Sequence, residues 1–219
     1  MKTDLLANFD LSEPQLQSFV ADTLKAADDG ELYVEYGENE SLTFDNGRLK
    51  GGSFNTDQGF GLRAVAGEAV GYAHSGELSE GALKRAADAV TAVTRGHSGQ
   101  YAESPQRTNS RRYGAENPIG APSFEEKVAL LTEIDAYLRS KDAKVRQVTA
   151  SINASWKVVE IIRADGTRMQ DIRPMTRLNI SVVTGEGSKQ ENGSYGFGGR
   201  RPFGEFLTEE SWKYGADEA

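Results

Sequence analysis

Residues 192–201, which read NGSYGFGGRR, hold four glycines and end on two adjacent arginines. Such a stretch could cradle a phosphate, because glycines leave backbone N–H groups bare and arginines bind anions. A phosphate-binding loop also needs glycines at fixed spacings and a helix directly behind them. In this sequence Arg201 stands where the third glycine of G-x-G-x-x-G belongs, and Pro202 follows where a helix should begin. The spacing argues against a nucleotide site and favours a glycine-rich strand end that another backbone can approach closely.

Histidines are the next residues that could support catalysis, because a catalytic zinc site needs three protein ligands. The chain has two histidines, His74 and His97, and no cysteine. Neither histidine is followed by glutamate, and Gly76 interrupts the helical geometry that a paired His74 and Glu77 would require. Ser53 does not lie in the G-x-S-x-G motif of a serine nucleophile. These residues therefore predict neither a metal site nor a catalytic residue within this chain.

Composition and charge narrow the function classes. The formal net charge of -8 predicts no direct nucleic-acid binding, since a protein that neutralises phosphates needs clustered lysines and arginines. The first residues include acids and no long apolar run, which predicts neither a signal peptide nor a membrane segment. The lack of cysteine fits a reducing compartment. We therefore expect a soluble, cytoplasmic protein.

The elements that would position the glycine-rich stretch begin with two helices, each opened by a capping box. Ser12 pairs with Gln15 in the first helix, and Ser123 pairs with Glu126 in the second. The second helix is predicted to bury one apolar face, formed by Phe124, Val128, Leu131, Ile134 and Leu138.

Strands with alternating apolar residues follow each helix, and the sequences LYVEY and SLTF predict two separate strands in the first half. Turn sequences recur in the same order in both halves. Asn46-Gly47 matches Asp165-Gly166, and residues 65–68 match residues 183–186. The glycine-rich stretch then corresponds to the last strand before a helix.

We therefore predict an α+β fold of two tandem related units, each a mostly antiparallel sheet flanked by helices. The first unit spans residues 1–95, a linker spans 96–122, and the second unit spans 123–219. Similar hairpins in unrelated sheets could also produce this pattern, so the repeat is a hypothesis. The last helix begins at Thr208 and has no stop signal before Ala219, so we expect the second unit to be cut off at the start of this helix.

Two blocks of the sequence resemble a known protein family. Residues 44–89, which include GFGLRAVAGEAVGYAHS, are similar to the first domain of the TldD/PmbA proteins, also called modulators of DNA gyrase. Residues 190–207, which include GSYGFGGR, followed by YGADEA, are similar to the segment before the metal-binding helix of the TldD branch. The resemblance covers nearly the whole chain, but neither block is a catalytic motif.

This resemblance implies a zinc-dependent peptidase subunit that is cytoplasmic and cleaves unfolded peptides. It also implies a dimer, formed with a PmbA/TldE-type partner or by self-association. The family's H-E-x-x-x-H motif would place two histidines and a glutamate on a helix beyond Ala219. No residue of this chain corresponds to that motif, so we expect the zinc and the catalytic residues in a longer protein. The chain alone is expected to bind no metal and to be inactive.

The resemblance also gives the glycine-rich stretch a function, which is to line the path of an extended peptide. The candidate substrate-binding residues are Tyr195, Gly196, Gly198, Gly199, Arg200 and Arg201. A structural ion pair on the surface is an equal alternative for either arginine. For the whole chain, one alternative is a non-catalytic tandem α+β module that binds proteins. Another is a non-catalytic PmbA/TldE-type subunit, which would be the gyrase modulator.

Overall fold

A computed structural model describes residues 4–97 and 112–219. Of the predicted linker 96–122, residues 98–111 lie outside the described residues. A short 3-10 helix, Leu6–Asn8, precedes five helices: α1 (Glu13–Leu24), α2 (Glu80–Thr94), α3 (Phe124–Lys141), α4 (Phe203–Phe206) and α5 (Glu209–Glu218). The strands are β1 (Asp29–Asp45), β2 (Arg48–Ala66), β3 (Ala69–Ser75), β4 (Val145–Arg163), β5 (Arg168–Glu186) and β6 (Lys189–Gly199). No helix among the described residues is long and apolar enough to span a membrane.

The six strands form one antiparallel sheet in the order β3-β2-β1-β4-β5-β6, and helices flank it, which confirms the α+β class. Each half of the chain contributes three consecutive strands, and the two sets lie side by side in a single sheet rather than in two sheets. LYVEY and SLTF, predicted as separate strands, belong to the continuous strand β1. The ladder joins backbone groups, so the strand continues through Gly37 and Asn39, where the side-chain alternation is interrupted.

Helix starts and turns follow the local sequence closely. Both predicted capping boxes are present, and the Thr208 hydroxyl accepts a hydrogen bond from the Ser211 N–H at 3.3 Å at the start of α5. The Asn46-Gly47 turn has φ angles of 53° and 81°, as a tight hairpin requires. The prediction for residues 183–186 was wrong: β5 continues to Glu186, and the turn follows at Gly187, whose φ is 62°.

Helix α3 differs from its predicted apolar face. Leu131, Ile134 and Leu138 are buried as predicted, but Phe124 is 49% exposed and Val128 is half-buried. Lys127 is buried on that face instead. Its ammonium group contacts the Glu40 carboxylate at 2.5 Å and the Ile119 carbonyl at 2.6 Å. A buried cation with two acceptors is satisfied, which explains how a lysine occupies a position facing the core.

The chain forms two compact units. One takes residues 4–37, 57–97 and 157–172, and the other takes residues 38–56, 112–156 and 173–219. Strands β1, β2, β4 and β5 each contribute to both units, so the units are interleaved along the chain. The predicted units, 1–95 and 123–219, are instead consecutive along the chain, and their boundaries stay a prediction.

The second of these units, called the glycine-strand unit below, contains β6 and has an inner and an outer sheet face. On β5 the buried residues Leu178 and Ile180 alternate with the exposed Arg177 and the half-buried Asn179. Strand β4 has the same alternation, with buried Val148, Ala150 and Ile152 on the inner face. Trp156 and Trp212 are 2% and 5% exposed and belong to the core. The outer face carries small polar side chains.

Candidate functional site

The glycine-rich stretch forms most of β6, the strand at one end of the sheet order. It pairs with β5 from Glu186 opposite Lys189 to Thr176 opposite Gly199. Among the described residues no strand pairs with its other edge. The structure therefore places the candidate residues along an open edge of the sheet and just beyond its end, as expected for the last strand before a helix.

Two aromatic residues of β6 point to the face where α5 packs. The rings of Tyr195 and Tyr214 lie edge to face at 5.9 Å, and Tyr195 lies the same distance from Phe197. A Cβ atom on Gly215 would lie 2.6 Å from the Phe197 ring, so this glycine allows the close approach of helix and strand. The Glu218 carboxylate, followed by Tyr195, raises the pKa of Tyr214. Tyr195 thus lies against α5.

Gly196 and Gly198 lie on the opposite face, and both are exposed. A Cβ atom on Gly196 would lie 2.7 Å from both the Arg177 guanidinium and the Asn179 side-chain oxygen. A Cβ atom on Gly198 would lie 2.3 Å from the Thr176 carbonyl oxygen. Gly199 has no atom within 4 Å of such a position. The β5 backbone therefore requires glycine at Gly198, whereas the space beside Gly196 is occupied by the ends of two side chains.

The two candidate arginines follow β6 and behave differently from each other. The Arg200 guanidinium lies 4.9 Å from the centre of the Tyr113 ring and donates a hydrogen bond to the Pro174 carbonyl at 3.5 Å. Arg201 is exposed, and its backbone carbonyl accepts a hydrogen bond from the Thr176 hydroxyl at 2.9 Å. Neither guanidinium forms an ion pair within the described residues. Arg200 is held in place, while the Arg201 side chain faces solvent.

The hydrogen bonds of two β5 hydroxyl groups indicate which β6 backbone groups face outward. Ser181 donates to the Gly193 carbonyl at 3.4 Å, and Thr176 donates to the Gly199 carbonyl at 3.2 Å. These carbonyls therefore point toward β5. Because orientations alternate along an antiparallel strand, the N–H and C=O groups of Ser194, Gly196 and Gly198 point away from β5. They form the open edge.

Sequence reasoning missed a groove on the outer face of the same unit. Its volume is about 320 Å³, and it is lined mainly by small polar residues of four strands, together with Arg177. The signal was present in β4 and β5, where serine and asparagine alternate with buried apolar residues. Alternation identifies an outer face, but it does not show that the face is concave.

The histidines do not form a metal centre. The His74 ring stacks on Tyr72 at 5.8 Å, and His97 Nε2 lies 3.0 Å from an Asp28 carboxylate oxygen. The described residues contain no cluster of three or more histidine, aspartate or glutamate side chains that could hold an ion. The described residues therefore provide no set of ligands for a catalytic metal.

Comparison with known proteins identifies both halves of the chain. Residues 30–93 match the model of the PmbA/TldA metallopeptidase domain 1, and residues 117–219 match that of the PmbA/TldA metallopeptidase central domain. A metalloprotease TldD homolog from Haemophilus influenzae is 38% identical over 177 residues, which are 79% of this chain and 36% of that protein. A second TldD homolog, from Buchnera aphidicola of Acyrthosiphon pisum, is 32% identical over 84% of this chain and 38% of that protein.

Solved structures show the same fold at low sequence identity. A putative modulator of a DNA gyrase from Thermotoga maritima has a TM-score of 0.69 at 16% identity, over 87% of this chain and 44% of that one. TldE from Thermococcus kodakarensis has a TM-score of 0.63 at 12% identity, over 92% of this chain and 46% of that one. The chain spans little more than a third of the length of the curated relatives. It belongs to the PmbA/TldA metallopeptidase family and contains that family's domain 1 and central domain.

Proposed function

We propose that this chain is part of a zinc-dependent peptidase that cleaves unfolded peptides in the cytoplasm. Its part is to form a wall of the substrate chamber and to contact a second subunit, either a PmbA/TldE-type partner or another copy. Membership of a metallopeptidase family and the 38% identity to a metalloprotease TldD homolog support this proposal. Because the described residues contain no cluster of metal ligands, we assign substrate binding to them, and not the chemical step.

The open edge of β6 is the observation that carries the binding role. A peptide that adds as a strand to this edge would bond to the outward backbone groups of Ser194, Gly196 and Gly198. Main-chain hydrogen bonds are common to all sequences, so such binding accepts many unfolded chains. The exposed Gly196 and Gly198 place no side chain beside the added strand on the outer face. On the opposite face of β6, Tyr195 packs against α5.

A proline substitution tests strand addition directly. In the assembled protein that carries this chain, Ser194→Pro should remove one outward N–H group while leaving the β5 pairing intact. We expect KM for an unfolded peptide to rise about tenfold, as for the loss of one backbone hydrogen bond, while kcat and zinc content stay unchanged. Ser194→Ala is the matched control, because it keeps the N–H group and removes only the hydroxyl. A valine at Gly198 is a poorer test, since its Cβ would collide with the Thr176 carbonyl.

Unchanged peptide kinetics in a folded Ser194→Pro assembly would reject strand addition at β6. The non-catalytic alternatives, a binding module or a PmbA/TldE-type subunit, make a different prediction. They would bind peptides at the same edge, yet the zinc-loaded protein would release them uncleaved. Mass spectrometry of the recovered peptide separates these outcomes.

A further inference from the structure

The outer-face groove of the glycine-strand unit contains few charged groups. Its lining comes from β1, β2, β4 and β5, including Ser41, Ser53, Asn153, Ser155 and Arg177. The Ser41 hydroxyl donates to the Asn153 side-chain oxygen at 2.9 Å, which links the floor of the groove across two strands. Short side chains thus line most of a concave surface beside Arg177.

Two charged residues line this groove, Glu40 and Arg177. The Glu40 side chain shares a strand face with the buried Leu42 and Phe44, and its carboxylate contacts the buried Lys127 ammonium group. Its charge is therefore compensated on the inner side of the sheet. Arg177 is exposed on the outer face, and it forms no ion pair within the part of the chain that the structure describes. The groove keeps one uncompensated positive charge.

Neighbouring residues fix the position of this charge. The Arg177 Nε–H donates to the Asn179 side-chain oxygen at 2.7 Å, and the Asn179 amide donates to the Ser151 hydroxyl at 3.4 Å. Gly196 on β6 leaves the space in which the guanidinium group lies, since a Cβ there would come within 2.7 Å of it. The guanidinium therefore lies beside Gly196, between the open edge of β6 and the groove.

We propose that Arg177 binds a carboxylate of the extended peptide, and that the groove beside it is a specificity subsite. This inference rests on the proposed function, because a peptide strand on the edge of β6 would pass beside Gly196 and the Arg177 guanidinium. A guanidinium with unused donors binds a carboxylate through two parallel hydrogen bonds. The carboxylate is either the peptide's C-terminus or an acidic side chain, since both present the same chemistry.

The test uses four labelled peptides that differ only in their carboxylates. One has a free C-terminus, one is amidated, one is amidated with a single internal glutamate, and one is amidated with glutamine in its place. Binding to the assembled protein is measured by fluorescence anisotropy in the presence of a metal chelator, so that no peptide is cleaved. We expect at least one carboxylate peptide to bind about fivefold more tightly than its neutral partner, as for a charge pair near the surface.

Substitutions of Arg177 then show whether this residue causes the preference for carboxylate peptides. Arg177→Gln should abolish it while leaving the affinity for neutral peptides unchanged, and Arg177→Lys should keep part of it. Arg95→Gln is the matched control, because it makes the same charge change at an exposed arginine of the other compact unit. Which of the two carboxylate peptides is preferred shows whether the C-terminus or an acidic side chain is recognised.

The outcomes separate this inference from strand addition. Equal affinity for all four peptides overturns the inference, and so does a preference that survives Arg177→Gln. Strand addition would still stand in both cases if Ser194→Pro weakens binding of every peptide. A failure of all four peptides to bind overturns both proposals.

Discussion

At the scale of single residues, the glycines of β6 are glycine for different reasons. Gly196 leaves room for the Arg177 guanidinium, whereas Gly198 approaches a carbonyl oxygen of the neighbouring strand. A side chain can move away from a new methyl group, but a backbone carbonyl in a ladder cannot without disturbing the strand pair. The sequence indicated that a close approach occurs in this stretch, but it could not show that the approaching group belongs to β5.

Alanine substitutions distinguish these positions. Gly198→Ala should lower the free energy of unfolding by about 1–3 kcal/mol, the usual effect of forcing a group into occupied space. Gly199→Ala is the matched control, and it should change stability by less than about 0.5 kcal/mol because nothing lies within 4 Å of its Cβ position. Urea denaturation of the two variants measures both values. Equal stabilities would show that β5 and β6 adapt at this point.

Asp45, at the end of β1, is the residue whose protonation should affect stability at acid pH. Its carboxylate accepts hydrogen bonds from Gln147, Lys50 and Thr149, and the Gln147 bond makes the largest contribution. These bonds lower its pKa to about 2. The pKa in the unfolded chain is about 3.9, so the stabilisation is fully present above that pH and is lost as the pH falls toward the folded value.

Thermal melts over a pH series test this expectation. Wild type should melt higher than Asp45→Asn at neutral pH, and the difference should shrink as the pH falls from about 4 to about 2. Glu125→Gln is a control, since it removes an exposed carboxylate from the first turn of α3. A difference that stays constant across this pH range would contradict the role given to the Asp45 charge.

At the scale of secondary-structure elements, local features were predictable and distant contacts were not. Capping boxes and the Asn46-Gly47 turn depend on residues a few positions apart, so the sequence alone located them. Lys127 shows the limit. It falls on the same helical face as Leu131, Ile134 and Leu138, a spacing that predicts burial. A charged side chain is normally exposed, however, and the sequence could not show that Lys127 has a partner. That partner, Glu40, lies 87 residues away along the chain.

Single and double substitutions measure how strongly this buried pair contributes to stability. Lys127→Met should lower the free energy of unfolding by about 3–5 kcal/mol, because it leaves the Glu40 carboxylate without its partner. Adding Glu40→Gln should recover much of that loss, since the uncompensated charge is removed. Lys84→Met is the matched control, because the exposed Lys84–Glu80 pair on α2 should contribute less than about 1 kcal/mol. If the double variant is no more stable than Lys127→Met, the pair is not coupled as the contact indicates.

At the scale of the whole molecule, charge decides which partners are accessible. The formal net charge is -8, and some of the arginines are paired with carboxylates. Arg63 contacts Asp29 and Glu31, and Arg168 contacts the buried Glu160. A net charge of this sign bears directly on whether the protein can bind nucleic acid, whose phosphates are negative.

We predict that the protein does not bind duplex DNA directly. A net charge of -8 repels the phosphates of DNA, so little counterion release drives association. We expect a dissociation constant above about 10⁻⁴ M at physiological salt. Fluorescence anisotropy of a short labelled duplex measures this at about 150 mM and about 50 mM salt. A basic variant with the same fold, made by changing exposed acids on α2 and α3 to lysine, is the positive control. Binding by the unmodified protein that strengthens steeply at the lower salt would contradict the prediction, because only phosphate contacts produce that dependence.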